Sequence, residues 1–72
     1  MNDSKLTFIG KKIQQIRIEQ GLSQEQLATR CGCHRNFIGL VERGQKNPSI
    51  LKLICISEAL GVSITDLIPK HP

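Results

Sequence analysis

The sequence has little that would mark a membrane, secreted or multidomain protein. Its longest unbroken apolar run is four residues, Leu53 to Ile56, where a membrane-spanning helix needs about 20. The opening Met1-Asn2-Asp3-Ser4 lacks a basic region followed by an apolar stretch, so no secretory signal is expected. Trp and Tyr are absent, and Phe occurs only at positions 8 and 37. Cysteine is confined to Cys31, Cys33 and Cys55. An odd count without a secretory signal points to free thiols in a reducing cytosol, and so to a cytoplasmic protein. No segment alternates like a strand, and there is no internal repeat or low-complexity tract. No acid–base pair, partnered nucleophile or phosphate loop is visible. Catalysis therefore has no support, and no cofactor or small-molecule ligand is expected. Seventy-two residues fill one small domain and exclude a two-domain enzyme, leaving no room for a ligand-binding partner domain. A chain this short buries only about 60% of its unfolded surface, so association would help it.

What is present is 39% hydrophobic and 22% charged, the balance of a globular chain. Ten basic side chains against six acidic give +4, with a pI near 9.3. That makes an anionic partner, nucleic acid above all, a natural expectation. The charge is uneven. Residues 1–20 and residues 21–48 each carry four basic and two acidic side chains, whereas residues 49–72 carry two of each. The same last third is half apolar. A basic front and an apolar back imply two surfaces with two jobs.

The periodicity is helical almost throughout. Leu6, Ile9, Ile13 and Ile16 make one apolar face of a first helix that stops at Gly21. Ser23-Gln24-Glu25-Gln26 reads as a capping box opening a second helix from about Gln24 to Cys31, ended by Gly32. A third helix starts near His34, turns Ile38, Val41 and Phe37 inward, and ends at Gly44. After the polar loop Gln45-Lys46-Asn47-Pro48-Ser49, a fourth helix runs to Leu60, with Ile50, Leu53, Ile56 and Leu60 as its inward stripe and Pro48 in its first turn. Ser63 caps a short fifth helix, with Asp66 in its first turn and Pro69 at its end. The expectation is one all-α domain of five helices.

Two short helices joined by a tight glycine turn, here Gly32-Cys33, outline a helix-turn-helix over residues 23–43. Small Ala28 lies where these two helices cross. On the outward side of the third helix, Arg35, Asn36, Gly39 and Arg43 recur at helical spacing. Arg pairs bidentately with guanine and Asn with adenine in the major groove. Gly39 costs about 1 kcal/mol relative to Ala in mid-helix, and a close approach to DNA is a return for that cost.

Gly21-Leu22-Ser23-Gln24-Glu25-Gln26-Leu27-Ala28, Gly32, Ile38, Val41-Glu42-Arg43-Gly44, Asn47-Pro48-Ser49 and Ala59-Leu60-Gly61-Val62 together resemble the XRE family of Cro- and lambda-repressor-type helix-turn-helix regulators, over residues 7–68. The resemblance implies a five-helix lambda-repressor-like fold and a transcriptional regulator that binds pseudo-palindromic operator DNA as a homodimer. It implies that Gln24 contacts phosphate, that His34, Arg35, Asn36 and Gly39 form the base-reading face, and that Arg43, Lys46 and Asn47 grip the backbone. The segment Arg35 to Gly44 is also similar to controller proteins of restriction–modification systems; lone regulators of phages, plasmids and chromosomes share these features. One departure stands out. The family usually has Ser, Thr or Asp at the start of the third helix, where this chain has Cys33 and His34, so the cap and the register of base contacts stay open by one residue. A rival reading from another class is an antitoxin-like module that uses the fold to bind a protein.

In the apolar back third, Leu51 and Cys55 lie off the inward stripe. With Ile64, Leu67 and Ile68 they are expected to form a dimer surface. Cys31-Gly32-Cys33-His34 offers three possible metal ligands, but a structural zinc site wants four and Cys31 fills an inward position, so no metal is expected.

Overall fold

In the computed structural model, which describes residues 3–70, the sequence forms four α-helices and one 3-10 turn. The helices are α1 (Ser4–Glu19), α2 (Gln24–Cys31), α3 (Arg35–Glu42) and α4 (Ile50–Leu60), followed by the turn Ile64–Asp66. The fifth element is thus one turn rather than a helix. Ser63 still caps it, and Asp66 reaches back to the Ser63 N–H at 3.0 Å. Among the described residues no helix is long and apolar enough to cross a membrane.

Local chemistry sets the boundaries. The Asp3 side chain caps α1 through the Lys5 N–H at 2.8 Å. At α2 the Gln26 N–H donates to Ser23 Oγ at 3.0 Å, and the Ser23 N–H donates to Gln26 Oε1 at 2.8 Å. Two orphan donors at the helix start are thereby satisfied together. Ser49 caps α4 through the Lys52 N–H. Pro48 lies buried just ahead of this cap, outside the helix. Gly32 takes φ +67°, which lets the Cys33 N–H turn back to the Ala28 carbonyl at 3.0 Å and closes α2 within a two-residue turn. Gly44, at φ +73°, has a second constraint: a Cβ there would meet Thr7 backbone and side chain at 3.0–3.3 Å.

The helices pack around Ile13, Leu27, Ala28, Cys31, Ile38, Val41, Leu53, Ile56, Leu60 and Leu67. Ala28 is buried in the same core cluster as Ile38 and Val41. Gly10 is buried on α1 because a Cβ would fall 2.3 Å from the Val41 carbonyl oxygen; bare backbone lets α1 lie directly on the end of α3. The α4 stripe differs from expectation at one end. Leu53, Ile56 and Leu60 face inward with Ser57, but Ile50 is 62% exposed. Leu67 is wholly buried, because the 3-10 turn folds it back into the core.

Candidate nucleic-acid interface

The turn at Gly32-Cys33 sets the outward face of α3 beside the first residue of α2. Between them lies an open groove of about 390 Å³, lined by Gln24, Arg35, Asn36, Gly39, Leu40 and Arg43. Five of the residues expected to touch DNA therefore share one concave surface, and Leu40 joins them.

The opposite face of α3 fixes the helix in place. Ile38 and Val41 are fully buried, and so is Glu42. Glu42 accepts Arg17 Nε at 2.6 Å and Arg17 Nη2 at 3.0 Å, a bidentate ion pair between α1 and α3. Arg17 Nη1 also donates to the Leu22 carbonyl at 2.7 Å. Gln24 Nε2 donates to Glu42 Oε1 at 2.9 Å, which orients the Gln24 amide at the rim of the groove. Sequence reasoning missed this network because charged residues default to the surface. A signal was present: Arg17 is four residues after Ile13, and Glu42 is four after Ile38, each on an inward stripe.

Gly39 lies beneath Gln24 and Arg43. A Cβ on it would meet Arg43 Nη1 at 3.4 Å and Gln24 Oε1 at 3.5 Å, ordinary contact distances. Gly39 is buried under these two side chains, and no steric clash requires it to be glycine.

His34 resolves the departure at the start of α3. It is the N-cap, its Nδ1 accepting the Asn36 N–H at 3.0 Å, and α3 begins at Arg35. In the neutral ring this bond puts the proton on Nε2, so the exposed edge of His34 is a donor. Lys46 and Asn47 are exposed in the loop that follows α3, outside the groove wall. Arg43 reaches toward that loop, with Nε donating to Gln45 Oε1 at 3.1 Å.

Of the expected dimer surface, Leu51 is 75% exposed, while Cys55, Ile64 and Ile68 are half-buried. Leu67, expected in the same patch, contributes no surface to it. Ile50 and Ile54, which were expected inward or unassigned, are exposed beside Leu51. Burial pushes the Cys31 thiol up to about 12, helped by the neighbouring Cys55 and Cys33 thiols. Cys33 is also raised by burial, against the pull of Lys52. Among the described residues no three His, Cys, Asp or Glu side chains are grouped to hold a metal ion.

This fold and groove define a helix-turn-helix DNA-binding domain. The helix-turn-helix family HTH_3 matches residues 13–67, and the chain belongs to that family of DNA-binding transcription regulators. It is 44% identical over 68 residues to the control protein C.BamHI of Bacillus amyloliquefaciens, covering 93% of this chain and 83% of that protein. The crystal structure of the restriction–modification controller protein C.AhdI from Aeromonas hydrophila superposes with a TM-score of 0.84 at 37% identity, covering 86% of this chain and 94% of that one. The biofilm regulator SinR in complex with DNA superposes with a TM-score of 0.77 at 38% identity, covering 82% and 95% of the two chains.

Proposed function

We propose that the chain is an autoregulatory, sequence-specific regulator of the restriction–modification controller kind, acting in the cytoplasm as a homodimer on a pseudo-palindromic operator. The observation that carries this is the groove that gathers Gln24, Arg35, Asn36, Gly39 and Arg43. The similarity to control proteins supports the subtype.

In this reading α3 enters the major groove. Arg35 and Asn36 read base edges, each good bidentate pair contributing about 1–3 kcal/mol of discrimination. His34 presents a donor at the start of the helix, and Gly39 allows close approach. Gln24, Arg43, Lys46, Asn47 and the helix N-termini hold phosphates, which sets orientation without reading sequence. The exposed Ile50, Leu51 and Ile54, together with the half-buried Cys55, Ile64 and Ile68, supply the dimer surface. A two-fold dimer then spaces two reading helices by about 34 Å, one turn of DNA.

The test is footprinting of the DNA upstream of the chain's own gene at two salt concentrations. The expected result is a protected pseudo-palindrome that weakens as salt rises, with tandem sites for a controller. Absence of protection, together with co-purification of a neighbouring gene's product, would favour a protein-binding module instead.

A further inference from the structure

The groove contains one side chain that phosphate and hydrogen-bond chemistry leaves unused. Leu40 lines it beside Arg35, Asn36, Gly39 and Arg43. Its apolar neighbours on α3 are otherwise committed: Ile38 and Val41 are fully buried, and Phe37 packs against the core from its edge. Leu40 is half-buried and, among the described residues, stands outside that packed cluster. A branched apolar side chain on an otherwise polar reading face keeps hydrocarbon in water unless a partner covers it.

The floor of the major groove offers one apolar group to such a side chain, the C5 methyl of thymine. Leu40 follows Asn36 by one helical turn, about 6 Å along the axis. Stacked bases along one strand are about 3.4 Å apart, so the two side chains can reach different bases within one half-site. Gly39 precedes Leu40 and adds no bulk between the helix and the groove floor. Resting on the reading of α3 as the groove-entering helix, we propose that Leu40 is a specificity-determining residue that reads a thymine methyl in each half-site, near the base read by Asn36.

The experiment selects a bound duplex from a random pool and then replaces each of its thymines, one at a time, with deoxyuridine, which removes only the methyl. Binding is measured for the wild type and for Leu40→Ala, with a melting curve to confirm that the variant is folded. One thymine per half-site should weaken wild-type binding about three- to fivefold when its methyl is removed, the worth of burying roughly one methylene-sized group. Leu40→Ala should bind the unmodified duplex correspondingly less well and be indifferent to that replacement. A selected duplex whose thymines all tolerate deoxyuridine would overturn this inference alone, as would a methyl effect undiminished in Leu40→Ala. Failure to select any duplex would overturn the DNA-reading account together with it.

Discussion

Arg17 and Glu42 meet as a buried bidentate pair, Nε 2.6 Å from Oε2 and Nη2 3.0 Å from Oε1, and the same carboxylate holds Gln24 at the rim of the groove. One carboxylate thus joins α1, α2 and α3. A buried pair of this kind contributes little net stability against an apolar replacement, but removing one partner strands the other charge. Glu42→Ala is expected to cost about 3–5 kcal/mol, a large share of what a domain this small possesses. The double variant Arg17→Met, Glu42→Leu should recover most of that loss, as read from urea unfolding. Equal destabilisation in the two would show that the pair, rather than the stranded charge, sets the stability.

The two mid-helix glycines should respond oppositely to alanine. At Gly10 a Cβ would collide with the Val41 and Glu42 carbonyls at 2.3–2.6 Å, so Gly10→Ala should destabilise by about 1–3 kcal/mol. At Gly39 the new methyl has room. Gly39→Ala should gain up to about 1 kcal/mol from helix propensity while weakening binding to specific DNA. Thermal melting and a binding titration on both variants check this. A Gly39→Ala protein that binds as tightly as the wild type would remove close approach as the reason for the glycine.

His34 should act as a cap separately from any contact with DNA. His34→Ala removes the Asn36 N–H acceptor and should cost about 1 kcal/mol, whereas His34→Ser should keep most of the stability. Equal melting temperatures for the two variants would contradict the capping role.

Cys31 should make stability fall at alkaline pH. Its folded pKa is raised to about 12, mainly by burial, so the folded chain keeps the thiol proton after the unfolded chain has lost it, near about 8.5. The stabilising difference is whole below that lower value and is lost as pH rises through it toward 12. Melting measured from pH 8 to 10 should decline, with a shallower slope in Cys31→Val. Alkylation at pH 8 should spare Cys31 in the folded protein and reach it in urea. Rapid labelling of Cys31 in the folded state would contradict the assignment.

Legibility in the sequence divided along physical lines. Features set by neighbours in the chain were readable. The Ser23–Gln26 capping box, the glycine stops and the limits of α2 depend on bonds spanning a few residues. The residues that line the groove were readable because helical spacing alone puts Arg35, Asn36, Gly39 and Arg43 on one side of α3. Features set by distant packing were not. Ile50 fits the α4 stripe by spacing, yet the buried residue at that end of the helix is Pro48. Leu67 fits a surface patch by spacing, yet the 3-10 turn folds it inward. The Arg17–Glu42 pair links positions 25 apart, and its burial depends on two helices meeting with matched charges.

The central claim is that one surface carries two kinds of contact, bases through Arg35 and backbone through Lys46. The most direct test titrates the wild type, Arg35→Ala and Lys46→Ala against a selected operator and a random duplex, at two salt concentrations. Arg35→Ala should lose about 1–3 kcal/mol of discrimination between the duplexes. Lys46→Ala should weaken both alike and reduce the salt slope by about 0.9. If both variants lost affinity equally for operator and random DNA, the division between reading and gripping would be wrong.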